Sequence, residues 1–208
     1  MTSPRTNLLA VAALALAAVA VAAAAGAASI DTQTADVRGQ GPGGPVVADD
    51  GATLQRSDSG ISAKLQMPTP EPGSYNYPPA QTSPPAPFTF PAAVPGHPEA
   101  YSLWMFVFNY PALCSMPCDS NDVGVATPAR GGAFNVAGHI VGGSNLSLDG
   151  RASVNSTPFG GSMLLEPRTA EVHLAVAPHG KLAPELLPDQ ITKPIGNPAF
   201  WWIAIFNS

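Results

Sequence analysis

The side chains best placed to do chemistry are three histidines and one glutamate: His139, Glu171, His173 and His179. Alternate side chains of a strand point alike, so the Glu-x-His spacing puts Glu171 and His173 on one side of an extended segment. A third ligand from His139 or His179 would complete a donor set of the zinc or copper type. That set would make the chain a metal-binding module or a metal-dependent enzyme. The plainer reading of the same four residues is surface or hydrogen-bonded structural side chains. No other cofactor motif is present.

Cys114 and Cys118 enclose Ser-Met-Pro. Outside the cytoplasm, an even cysteine count at close spacing reads as a disulfide that pins a loop. A redox pair would have two intervening residues and a helix to depress its thiol pKa, and this spacing has three. Two thiolates flanking Met116 would suit a soft ion such as Cu(I), provided they stayed reduced. Ser144 and Ser162 follow Gly-Gly pairs, but neither lies in the strand-turn-helix setting that exposes a hydrolase nucleophile. Gly39-Gln40-Gly41-Pro42-Gly43-Gly44 matches GxGxxG, yet a polar stretch precedes it and Pro45 follows, which suits linker glycine rather than a dinucleotide site.

These residues sit in a chain whose start reads as an export signal. Arg5, an apolar run from Leu8 to Ala25 and the small residues Ala25-Gly26-Ala27-Ala28 make residues 1–28 a signal peptide, with a retained membrane anchor as the competing reading. After cleavage no membrane span remains, and the address is extracellular or the cell envelope. The net charge is −5 with nine Lys and Arg, so nothing resembles the basic footprint of a nucleic-acid binder.

The 20 glycines and 24 prolines are unevenly placed and mark the domain limits. Residues 29–60 are polar and Gly-rich and read as a disordered segment. Residues 61–67 alternate Ile61, Ala63, Leu65 and Met67 with polar positions, which predicts a half-buried strand. Residues 68–98 form a Pro-rich linker or strap; eleven prolines fall between Met67 and Pro98, and each removes a backbone donor. Residues 99–208 form the folded domain.

Short apolar strands recur through that domain, at 101–109, 134–141, 145–148, 151–155, 171–177 and 200–206, with Asp149-Gly150 read as a hairpin turn. No window shows a helical stripe. The pattern predicts an all-β, antiparallel β-sandwich, Ig-like or CHRD-like, behind an extended Pro-rich leader. The strands at 101–109 and 200–206 are apolar on both faces and need extra cover, for which Phe88 and Phe90 of the leader are the candidates. Trp201 and Trp202 are the candidate partner-binding surface.

The segments SLWMFVFNYPALC with a second Cys soon after, GHIVGG and LEPRTAEVHLAVAPHG resemble a group of uncharacterised secreted bacterial β-domain proteins. AEVH is also distantly similar to the His-bearing strand of the chordin-type CHRD domain; Ala175 stands where that strand carries a second histidine. The resemblance covers residues 100–180 and implies export, a sandwich-like fold and no established catalytic activity. The expected function is therefore that of an exported, non-catalytic β domain that binds a protein or an envelope component. The metal-dependent alternative rests on Glu171 and His173 with His139 or His179.

Overall fold

The computed structural model describes residues 30–71, 94–193 and 201–208. The expected signal peptide lies outside the described residues, as do Phe88 and Phe90, the proposed cover. The described residues form nine strands: β1 (Asp31–Arg38), β2 (Val46–Ser57), β3 (Gly60–Pro68), β4 (Glu99–Phe108), β5 (Gly131–Val141), β6 (Asn145–Ser153), β7 (Gly160–Gly161), β8 (Glu171–Lys181) and β9 (Trp202–Phe206). One four-residue helix, α1 (Asp189–Thr192), and three short 3-10 turns complete the set. No helix among the described residues is long and apolar enough to cross a membrane.

The expected all-β, antiparallel architecture is present, as one sheet in the order β6-β3-β2-β1-β9-β8-β4-β5-β7. It curls into a half-barrel with two facing halves. β1 joins β9 through one ladder pair, Arg38 with Ile203, whereas β1–β2 and β4–β8 pair along most of their lengths. At the other side β6 packs over β5. A Cβ at Gly150 would lie 2.3 Å from the Val136 carbonyl oxygen, so only glycine lets β6 come this close. That explains a correction: Asp149-Gly150 is not a hairpin turn but part of continuous β6, and its glycine serves an approach between strands.

A second correction concerns residues 29–60. The polar segment is no disordered leader, because it supplies β1 and β2. Its few apolar side chains carry the pattern. Val37, Ala52 and Leu54 face inward and are fully buried, and polar neighbours meet water. The GxGxxG stretch is the loop between these two strands, with the Gly39 amide donating to the Pro45 carbonyl and the Gly41 amide to the Trp201 carbonyl.

The core lies between the two halves. Val37, Leu54, Ile61, Leu65, Leu146 and Leu148 come from one, and Tyr101, Leu103, Met105, Val172, Leu174, Trp202 and Phe206 from the other. Each such large apolar side chain contributes about 1.5–3 kcal/mol relative to exposure.

The β9-β8-β4-β5 half is also buried on its outer face. There Trp104, Ala175, Ala177 and Trp201 form a second cluster with Phe106 and Ile203 against it. Phe159 meets Trp104 edge-on at 5.2 Å, and Trp201 stacks on Phe106 at 6.2 Å. The chain after β8 returns over this face through buried Gln190, which accepts from the Ala183 amide at 2.9 Å and donates to the His179 and Lys181 carbonyls.

Candidate functional site

Of the four expected ligands, the fold brings two together. Glu171 and His173 share the outer face of β8, with Glu171 Oε1 2.7 Å from His173 Nε2 and side chains 15% and 13% exposed. The Phe108 ring meets the imidazole edge-on at 5.0 Å. Burial pushes the His173 pKa below its ordinary value, and the Glu171 carboxylate works against that shift.

His179 stands six residues further along β8, roughly 20 Å away at the rise of a strand, and is fully buried. His139 shares the parity of core-facing Ala137 and Val141 and pairs with inward-facing Tyr101, so it lies on the opposite face of the sheet from Glu171 and His173. The zinc- or copper-type set is therefore not assembled. Among the described residues no three His, Cys, Asp or Glu side chains converge to hold a metal ion. Spacing along the chain placed two donors on one face of a strand; six residues of extended backbone and the sheet's own thickness keep the other two apart.

His179 instead completes a buried polar chain with Ser102, a residue that sequence reasoning passed over. The Trp104 indole N–H donates to Ser102 Oγ at 2.8 Å, and that hydroxyl lies 2.7 Å from His179 Nε2. The Ser102 oxygen accepts from Trp104 and shares its second hydrogen bond with His179 Nε2, in a direction set by the imidazole tautomer. Burial pushes the His179 pKa down to about 3, so the imidazole is neutral. Ser102 and His179 have the contact of a nucleophile and its base, yet both are 0% exposed. The signal was available as a lone serine inside the apolar run 101–109.

The candidate partner surface at Trp201 and Trp202 is also corrected, because both rings are buried. Trp201 covers Phe106 on the outer face, and Trp202 faces Tyr101 in the core at 6.3 Å. Large apolar side chains reach solvent elsewhere. Six of the ten that are exposed among the described residues, Tyr110, Leu113, Met116, Val125, Phe159 and Met163, lie on the two loops 109–130 and 154–170. Met116 is 73% exposed and Val125 is 69% exposed.

These loops are knitted together. Buried Asn109 donates to the Arg130 and Met163 carbonyls at 2.7 and 2.9 Å and accepts from the Leu165 and Glu166 amides. Ser162 Oγ donates to the Gly124 carbonyl at 3.3 Å. Cys114 and Cys118 form the expected disulfide, with Cα atoms 5.0 Å apart, and so hold Met116 out at the apex. Behind it the Asp122 carboxylate accepts from the Ser115 amide and hydroxyl and the Asp119 amide. Burial works to raise the Asp122 pKa, but these hydrogen bonds hold it below the usual carboxylate value. Arg56, 1% exposed, braces the second loop by donating to the Pro167 carbonyl at 3.0 Å.

A different surface lies on the outer face of β2, β3 and β6. Thr53, Gln55, Ser62, Lys64, Asp149 and Arg151 line a shallow depression of about 460 Å³ there.

Comparison of the chain with protein-family models, curated proteins and solved structures finds no match.

Proposed function

We propose that the chain acts as an exported, non-catalytic binding domain, outside the cell or in its envelope, and meets a protein partner through loops 109–130 and 154–170. One observation carries this reading: six large apolar side chains stand in solvent on two loops that hydrogen bonds join to each other, the first braced by its own disulfide. Apolar surface concentrated in this way marks an interaction site, and a rigid presentation lowers the entropy cost of binding. The Ser102–His179 pair, sealed from solvent, supports a structural rather than a catalytic role for those side chains. The net charge of −5 speaks against nucleic acid as the partner.

Retention of the purified protein on isolated cell envelopes and on immobilised exported proteins from the source cells tests this. A Leu113→Ser, Met116→Ser, Phe159→Ser variant is expected to lose retention by about tenfold or more, as truncation of central apolar anchors does. His173→Ala is expected to bind as the unchanged protein does. Equal retention of the triple variant, or none by the unchanged protein, would refute the reading.

A further inference from the structure

We propose that the outer face of β2, β3 and β6 is a second binding site, for an acidic polysaccharide that carries uronate carboxylates. The register lines up Thr53, Lys64 and Asp149 in one row across the three strands and Gln55, Ser62 and Arg151 in the next. Together they line the depression of about 460 Å³, a volume in the range of small-ligand sites. Ala63 and Gly150 lie between the two rows and turn toward the inner face of the sheet, so the depression is walled by the outward polar side chains alone.

The nature of the ligand follows from what this surface offers. β2 and β3 are paired on both sides, so their backbone groups are spent in the sheet and an extended peptide cannot add to either as a strand; β6 ends the order, and its free edge lies to the side of the outer face. None of the exposed large apolar side chains lines the depression, so it lacks the anchors a protein partner requires. Two hydroxyls, an amide, a carboxylate and two cations remain, a set suited to a ligand dense in hydroxyls.

Charge narrows the choice. Lys64 and Arg151 are diagonal neighbours across β3 and β6, about 7–8 Å apart for such positions. They outnumber Asp149, in a chain whose net charge is −5. The ion pairs among the described residues lie elsewhere, so neither Lys64 nor Asp149 is spent on the other. Arg151 is held in place, with Nη2 donating to Ser59 Oγ at 2.8 Å and Nε to Ser153 Oγ at 3.3 Å. A guanidinium held in this way loses little freedom when its remaining donors meet a carboxylate.

Titration calorimetry of the exported chain with polygalacturonate oligomers, their methyl esters and dextran sulfate tests the site. Polygalacturonate is expected to bind, and the uncharged methyl ester about tenfold more weakly or not at all. Lys64→Gln and Arg151→Gln are each expected to weaken polygalacturonate about tenfold, the loss typical of a charged hydrogen bond, with unchanged melting temperature. Three results would overturn the proposal: no binding of polygalacturonate, equal binding of the ester or of dextran sulfate, or both variants binding as the parent does.

Discussion

On β3, inward-facing Ile61, Ala63, Leu65 and Met67 are buried while Lys64 and Gln66 between them are exposed; on β4, Tyr101, Leu103, Met105 and Val107 are buried and so are the alternate residues Ser102, Trp104 and Phe108. Both strands contribute the same kind of side chain to the shared core. They differ in what lies behind them. The β6-β3-β2-β1 half turns its outer face to water, and the β9-β8-β4-β5 half is covered by Phe159, Trp201 and the chain around α1. The contrast decides which chemistry each half can offer. Potentially reactive groups of the covered half are desolvated or sealed, as with Ser102 and His179, so they hold structure. The solvated half keeps its polar side chains available for a ligand.

The contrast breaks most directly at Trp104. Trp104→Ala is expected to cost about 3–5 kcal/mol in denaturant unfolding, since it empties a fully buried site in the outer layer. A loss below about 1 kcal/mol would mean that the second layer contributes little to stability.

Acid sharpens the contrast through His179. Its folded pKa of about 3 lies below the ordinary 6.5, so the unfolded chain takes up a proton below pH 6.5 while the folded chain does not until about pH 3. Protons therefore favour the unfolded state, and stability falls as pH drops through that window, by up to about 1.4 kcal/mol per pH unit from this group. Denaturation of the unchanged protein and of His179→Gln at several pH values is expected to show a flatter dependence in the variant. Parallel curves would count against a buried neutral imidazole. The smallest effect belongs to the solvated half, where Gln55→Ala is expected to change stability by no more than about 0.5 kcal/mol. A larger cost would mean that this face also packs against something.

Much of the fold was legible along the chain. The period-two pattern of residues 61–67 and the doubly apolar runs at 101–109 and 200–206 lie within β3, β4 and β9 or overlap their ends, because burial on one or two faces writes itself into alternation. The first two strands were hidden by composition. Half of β1 is exposed and only Ala35 and Val37 need face the core, so its sequence DTQTADVR looks like a polar linker. Asp149-Gly150 carries a turn signature, and nothing local reveals that its glycine answers to Val136 on another strand.

The candidate site was legible only in part. Glu171 and His173 share a strand and a face, so two-residue spacing sufficed to pair them. The disulfide followed from four-residue separation. Trp201 and Trp202 looked like a sticky surface because bulk and hydrophobicity read alike in a core and at an interface. The exposed loop residues Leu113, Met116 and Val125 were ambiguous for the same reason.

The sequence by itself determined the class of secondary structure and the pairing of the two cysteines, since alternation, glycine and proline placement and short separation act within a few residues. Only the tertiary structure decided which of His139, His173 and His179 meet, which tryptophans see solvent and which polar face stays open. Those outcomes depend on register, on the side of the sheet and on what packs above it, all set by contacts between residues far apart in the chain.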